Sequence, residues 1–183
     1  MIIGIDESGT HLQHGIATVA AVIVAEKDID HLNTAIMQAE QDLAVPGFHW
    51  AKDKWRYREA LFLALQHAEM KVRIAYTTSP SQLQRGLDTA LVELLQGTTI
   101  SRLLIDGKKP RVFVRQLKSS LRKAGLHTTD LKLVGDTAYP IVRVADAMAG
   151  AARIYLDPKR TMPVFIEKQL RKNVELIQKM PLR

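Results

Sequence analysis

The sequence contains no cysteine and no long apolar run. Without cysteine, disulfides and thiolate metal sites are excluded, so a bound metal must be held by oxygen or imidazole ligands. No apolar stretch is long enough to span a bilayer, and the N-terminal MIIGIDESGTH lacks the basic region of a signal peptide. The motifs Gly-x-x-x-x-Gly-Lys and Gly-x-Gly-x-x-Gly are also missing, so nothing supports a P-loop or dinucleotide enzyme. We therefore expect a cytoplasmic protein with no membrane partner.

Acidic residues are in the minority. The chain has 26 Lys and Arg against 19 Asp and Glu, which gives a formal net charge of +7. A basic balance favours polyanionic partners such as nucleic acid. Many basic proteins bind nothing anionic, so the position of the charges is more informative than their sum.

Short β-branched runs alternate with segments of helical periodicity, in the order β-β-α-α-β-α-β-α-β-α-α. The alternation in the second half predicts parallel strands, and the apolar runs at 1–5 and 15–25 predict an antiparallel hairpin. We therefore predict a single α/β domain over residues 1–183, with a mixed sheet of about five strands flanked by helices. Within it, residues 159–183 are predicted to contain a basic C-terminal helix, at about 164–179, that packs on the domain or against a second copy.

Several predicted strands end in a carboxylate. The first strand ends at Asp6 and Glu7, a later one at Asp106, and the last at Asp136. In open α/β sheets the carboxyl ends of parallel strands form the crevice where ligands bind. Taken singly, each Asp is typical of a turn or a helix cap. The interpretation as a site therefore depends on several acids lying at corresponding ends of one sheet.

A further acid, Asp146, lies among apolar and small residues of a predicted helix, with Arg143 the exception. Burying an unpaired carboxylate is unfavourable, so Asp146 needs a cation. Either a metal or Arg143 supplies it, and in the second case the pair lies on a solvated face. Gathered carboxylates raise one another's pKa unless a cation intervenes, and Mg²⁺ or Mn²⁺ prefers oxygen ligands. Two such ions can promote phosphodiester hydrolysis.

The residues around these acids resemble a known family. Residues 4–9, GIDESG, resemble the Asp-Glu-Ser-Gly signature that opens a family of uncharacterised bacterial and phage proteins in the RNase H-like clan. Residues 144–150, VADAMAG, resemble its late-helix motif Gln-x-Ala-Asp-x-x-Ala-Gly, with Arg143 at the position of Gln. Residues 48–50, FHW, resemble its His-containing segment, with Gly47 in place of the preceding acid.

A fainter likeness is to type 2 ribonuclease H. Residues 4–9, GIDESG, resemble its first strand, Gly-Ile-Asp-Glu-Ala-Gly, although Thr10-His11 stands where that enzyme has Arg-Gly. Residues 104–107, LIDG, resemble its Val-Asp-Gly strand end. Together the resemblances imply an RNase H-like fold and a nuclease dependent on Mg²⁺ or Mn²⁺. They imply that the metal-binding acids are Asp6, Glu7, Asp106 and Asp146, with Asp136 as a fifth.

Further polar residues are candidates for contacts with substrate. His49 is a candidate proton shuttle or substrate contact, and Lys52 a candidate phosphate contact; the alternative is a boundary histidine packed beside Trp50. Residues 107–125 hold seven cations and no acid, which favours a phosphate-binding stripe over a merely solvated face. The stripe candidates are Lys108, Lys109, Arg111, Arg115, Lys118 and Arg122. Trp50 and Trp55 are interpreted as core residues rather than base-stacking ones.

The sequence thus favours a metal-dependent phosphodiesterase acting on RNA, DNA or a hybrid. One alternative is a non-catalytic nucleic-acid-binding module that retains the fold. The other is a partner-binding subunit, including a homodimer formed through the C-terminal helix.

Overall fold

The computed structural model describes residues 1–135 and 138–180. Its strands are β1 (Ile2–Ser8), β2 (Ala17–Val24), β3 (Lys71–Thr77), β4 (Ile100–Asp106), β5 (Thr128–Val134) and β6 (Val174–Lys179). Its helices are α1 (Ile29–Asp42), α2 (Trp55–Ala64), α3 (Pro80–Leu94), α4 (Arg111–Lys123), α5 (Pro140–Leu156) and α6 (Val164–Asn173). Short 3-10 turns at Glu26–Asp28 and Leu65–His67 adjoin α1 and α2. No helix in these ranges is both long and apolar enough to cross a membrane.

The strands form one mixed sheet in the order β5-β4-β1-β2-β3-β6. β1 and β2 form the predicted antiparallel hairpin, and β2 pairs antiparallel with β3. The pairs β1–β4, β4–β5 and β3–β6 are parallel. The predicted α/β class, the mixed sheet and the flanking helices are confirmed, with β6 as an additional edge strand.

The C-terminal segment differs from its prediction. A helix over 164–179 was expected, but α6 ends at Asn173 and the chain continues as β6, parallel to β3. The side chains of β6 alternate between half-buried and exposed, which is the strand period. Without β6, the outer edge of β3 would carry unpaired backbone N–H and C=O groups. Pairing these groups with residues 174–179 outweighs the helical spacing of the apolar residues in that segment.

Helices cover both faces of the sheet, and two cores result. On the face that we call the α5 face, α1, α2, α5 and α6 pack against β2 residues such as Ala20 and Val22. On the opposite face, the α4 face, α3 and α4 pack against Ile3 and Ile5 of β1. Side chains alternate along a strand, so Gly4 and Asp6 of β1 point to the α5 face.

Two glycines allow α5 to pack closely. A Cβ at Gly4 of β1 would lie 2.7 Å from the carbonyl oxygen of Ile141, so only glycine lets the helix backbone approach the strand this closely. A Cβ at Gly150 of α5 would overlap the indole of Trp50. The loop that carries Trp50 is therefore seated directly on the helix that carries Asp146.

We predict that Gly150→Ala destabilises the protein by about 1–3 kcal/mol, because the new methyl group displaces the buried Trp50 indole. The expected sign is informative, since Gly→Ala inside a helix otherwise stabilises by about 1 kcal/mol. Thermal unfolding measures the change. Gly135→Ala is the matched control, because its Cβ would meet nothing within 4 Å. Equal melting temperatures for the two variants would contradict the seating of Trp50 on α5.

Candidate carboxylate site

Asp6 and Asp106 lie side by side at the carboxyl ends of two neighbouring strands. β1 and β4 are parallel, and Ile5 is in register with Ile105, so Asp6 and Asp106 are the next residue on each strand. Leu104, two residues before Asp106, packs on the α5 face. Alternation therefore directs Asp106 to the same face as Asp6. Asp6 and Asp106 thus lie at neighbouring ends of one sheet, and their role as metal ligands stays a prediction.

Asp146 reaches the same region from α5, held by the loop before α2. Its Oδ2 accepts a hydrogen bond from the backbone N–H of Trp50 at 2.8 Å. Nδ1 of His49 lies 3.4 Å from the same oxygen. His49 is thus placed beside a predicted metal-binding acid, and its role in proton transfer or substrate contact stays a prediction.

Electrostatics show that the acids share one environment. The pKa of Asp6 is raised to about 9, chiefly by burial and then by the negative charges of Asp146, Asp106 and Glu7, in that order. Burial also raises the pKa of Asp146, opposed by the Trp50 N–H and by His49 and reinforced by Asp106. Asp6 and Asp146 are thus destabilised by neighbouring negative charges, which is the electrostatic situation that a bound cation relieves.

Glu7 occupies a different position from Asp6. It follows Asp6 along β1, so its side chain points to the α4 face. There its two carboxylate oxygens accept hydrogen bonds from Nζ of Lys109 at 2.8 and 2.9 Å. The structure therefore brings Asp6, Asp106 and Asp146 together on one face and pairs Glu7 with Lys109 on the other.

Arg143 forms an ion pair with Glu40 of α1. Nε of Arg143 lies 2.7 Å from Oε1 of Glu40, and Nη2 donates to Oε2 at 2.9 Å. Both side chains are buried, with 6% and 9% of their surface exposed. The alternative prediction placed an Asp146–Arg143 pair on a solvated face. That solvated face is not observed, because this part of α5 faces the protein interior.

The loop before α2 and the first turn of α2 contain two residues that were not among the predicted site residues. Asp53 accepts a hydrogen bond from the backbone N–H of His49 at 2.8 Å and adds its charge to the environment of Asp146. Arg58 donates to the carbonyl oxygen of Trp50 and lies over its indole ring, 4.4 Å from the ring centre. Burial lowers the pKa of Arg58, opposed by the negative charges of Asp53 and Asp146. The available sequence signal was the mixture of charged and aromatic residues at 52–58.

The predicted phosphate contacts are divided between two regions. Lys52 precedes α2, which begins at Trp55, and it lies near His49 through a turn in which the Lys52 N–H donates to the His49 carbonyl. The remaining candidates lie on α4 or just before it, on the α4 face. They are Lys108, Lys109, Arg111, Arg115, Lys118 and Arg122. Asp136, the predicted fifth metal ligand, lies outside the described residues.

The donor set suits a hard divalent cation. Within residues 1–135 and 138–180, no three His, Asp or Glu side chains form a ready-made metal-binding group. The acids that converge on the α5 face nevertheless offer only carboxylate oxygens, and Asp6 is destabilised by the charges around it. That chemistry fits Mg²⁺ or Mn²⁺ and does not fit a soft metal.

The fold is shared with known ribonucleases H. The chain superimposes on a chain of the PCNA:RNase HII complex from Archaeoglobus fulgidus with a TM-score of 0.60, at 19% identity over 94% of this chain and 87% of that one. The ribonuclease H2 from Pyrococcus horikoshii OT3 superimposes with a TM-score of 0.56 at 16% identity, over 93% of this chain and 85% of that one. The RNase H3 from Aquifex aeolicus superimposes with a TM-score of 0.52 at 15% identity, over 84% of this chain and 56% of that one.

These similarities establish an RNase H-like fold, as the sequence predicted. No protein-family model matches the chain, and no curated protein matches it. The resemblance to the Asp-Glu-Ser-Gly family therefore stays a prediction that depends on the motifs themselves.

We predict that Asp6→Asn stabilises the metal-free protein, and more so as pH rises. The unfolded chain releases the Asp6 proton near pH 3.8, whereas the folded protein keeps it until about pH 9. Between these values the folded state binds more protons, so the free energy of unfolding falls as pH rises. Asparagine has no such proton. At pH 8 in a chelator, we expect its melting temperature to exceed wild type by about 3 °C or more.

Asp130→Asn is the control, because Asp130 of β5 is a half-buried acid paired with Arg102 of β4. Its removal should change stability by about 1 kcal/mol or less, without the rise toward high pH. Mn²⁺ should raise the melting temperature of wild type more than that of Asp6→Asn. A pH-independent difference between Asp6→Asn and wild type would contradict the strained carboxylate site.

Proposed function

We propose that this protein is a divalent-metal-dependent nuclease that hydrolyses phosphodiester bonds in RNA, DNA or a hybrid. The observation that supports the proposal is the electrostatic convergence of Asp6, Asp106 and Asp146 at the carboxyl end of the sheet. The neighbours of the same fold are ribonucleases by name, which favours this chemistry over others that carboxylates perform.

In this proposal Asp6, Asp106 and Asp146 hold Mg²⁺ or Mn²⁺. The ion would activate a water molecule and stabilise the leaving oxygen of the phosphodiester. The protein contributes the placement of the acids. Asp6 and Asp106 directly follow the last residues that pair β1 with β4, and the Trp50 N–H donates to the Oδ2 atom of Asp146. Asp136 stays a candidate for a further ligand.

Glu7 and His49 have distinct roles in the proposal. Glu7 would join the metal only if it left Lys109, or would orient the water from the adjoining position. His49, beside Asp146, would contact the substrate or move a proton at Nδ1 or Nε2. Both remain assigned to the catalytic set, as the sequence predicted.

The alternative is a nucleic-acid-binding protein that retains the fold without catalysis. The pairing of Glu7 with Lys109 favours this alternative, because a cation from the chain already holds one predicted ligand. It predicts salt-dependent binding of nucleic acid and no turnover in any metal. Dimerisation through the C-terminal segment stays a prediction, with α6 and β6 in place of one helix.

We predict Mg²⁺- or Mn²⁺-dependent cleavage of labelled RNA, DNA or hybrid, and its loss in Asp6→Asn. Changes even to residues that only support metal ligands reduce activity by about 10- to 100-fold, so replacing a ligand should reduce it more than about 100-fold. The rate of cleavage is measured at a fixed metal concentration, with a chelator blank.

The matched control is again Asp130→Asn, which makes the same chemical change on β5 outside the carboxylate site. We expect it to cleave at close to the wild-type rate. Cleavage that survives Asp6→Asn would place the chemistry elsewhere or reveal a contaminating nuclease. No cleavage by wild type of any substrate in either metal, with binding intact, would favour the non-catalytic alternative.

A further inference from the structure

We propose that the segment 49–58 is a binding surface for one single strand of nucleic acid, with Trp55 as its base-stacking residue. The inference deepens the proposed function and rests on it, since it assigns the substrate contact nearest to Asp146. It replaces α4 as the main candidate for that contact.

The composition of the segment suits a polyanion with exposed bases. Residues 52–58, KDKWRYR, contain four cations and one acid, interleaved with two aromatic residues. Lys52 and Lys54 are exposed, and neither forms an ion pair within the described ranges. Proteins that bind single strands combine cations along the backbone with aromatic rings on which bases stack.

The two tryptophans are in different environments. Trp50 is 4% exposed and belongs to the core, as expected, whereas Trp55 is 36% exposed. Their rings meet edge to face, 5.9 Å between centres. The exposed ring is therefore supported from within by a buried ring, which holds it in one orientation at the surface.

Arg58 braces this arrangement. Its guanidinium carbon lies 4.4 Å from the ring centre of Trp50 and 4.8 Å from that of Trp55. The same side chain donates two hydrogen bonds to the Trp50 carbonyl, at 3.0 Å and 2.6 Å. A base stacked on Trp55 would thus rest on a preorganised platform, which lowers the entropy lost on binding.

The segment is attached directly to the carboxylate site. Trp50 N–H binds Asp146, and His49 lies against the same carboxylate. A strand bound along residues 52–56 would therefore approach the carboxylate site through the residues that contact Asp146. Lys52 and Lys54 are the cations of this segment nearest in sequence to those contacts.

The basic stripe of α4 is less favourably placed for this contact. α4 packs on the α4 face through Leu117 and Leu121, across the sheet from Asp146. It follows β4 and leads back to β5, which is parallel to β4, so α4 runs away from the carboxyl ends of the strands. Lys118 and Arg122 therefore lie toward the opposite end of the sheet. They are suited to a remote contact with a long nucleic acid, not to the strand at the acids.

The experiment is a titration of the full chain, in a chelator, with a single-stranded oligothymidine or oligouridine of about twelve nucleotides. Tryptophan fluorescence reports binding, because the chain has only two tryptophans and Trp55 is the exposed one. We expect quenching in wild type that is lost in Trp55→Phe, and affinity about fivefold or more weaker in Trp55→Ala.

A charge-matched pair of double variants locates the phosphate-binding residues. Lys52→Glu with Lys54→Glu should weaken binding at least about tenfold and reduce the salt dependence, by about 0.7 in log–log slope for each phosphate that is no longer neutralised. Lys118→Glu with Arg122→Glu makes the same change in net charge and should weaken binding less. All four positions are exposed, so both variants should fold, which melting temperatures check.

Quenching that persists in Trp55→Phe would overturn the proposal, as would equal reductions in affinity in the two double variants or a larger reduction in the α4 variant. Binding in a chelator is independent of turnover. Normal binding with no cleavage would therefore reject the proposed nuclease and leave this surface, whereas cleavage without quenching would do the reverse.

Discussion

The repulsion among carboxylates buried at one end of the sheet is the constraint on which the rest of the site depends. Asp6 is buried, and its nearest charged neighbours are other acids, so the folded state is destabilised there unless protons or a cation are bound. The fold nevertheless brings Asp146 close, through a glycine on β1 that admits the α5 backbone. A chain selected only for stability would separate these charges. Their convergence is the observation on which the proposed metal site depends.

α5 carries two opposite charges three residues apart, Arg143 and Asp146, and each contacts a different group. Arg143 is held by Glu40, whose Oε1 also accepts the backbone N–H of Phe48 at 2.9 Å. Two residues later, Trp50 N–H binds Asp146. The loop is thus held by two carboxylates. Glu40 is neutralised by Arg143, whereas Asp146 lies among other acids. This explains why the loop, rather than Arg143, defines the surroundings of Asp146.

Much of this arrangement was accessible from the sequence, and the exceptions have physical causes. The strand ends at Asp6 and Asp106 follow from apolar runs that stop at an acid, and the burial of Asp146 follows from its small neighbours. The side of the sheet on which Glu7 lies depends on strand parity and on Lys109, a partner 102 residues away. β6 was missed because apolar residues at 174 and 177 fit a helix as well as a strand. Only the free edge of β3 decides between them.

The sheet also separates the charges of the molecule, and this separation argues for where a polyanion would bind. The acids Asp6, Asp106 and Asp146 lie on the α5 face, whereas most of the cations predicted to hold phosphate lie on α4, behind the sheet. A strand attracted to α4 alone would be kept away from the acids by the thickness of the sheet. The cations of the loop before α2 share a face with the acids and are joined to Asp146 by the Trp50 N–H. Long-range attraction by the net charge of +7 would bring the polyanion to the protein, and this short segment would decide which strand meets the carboxylates.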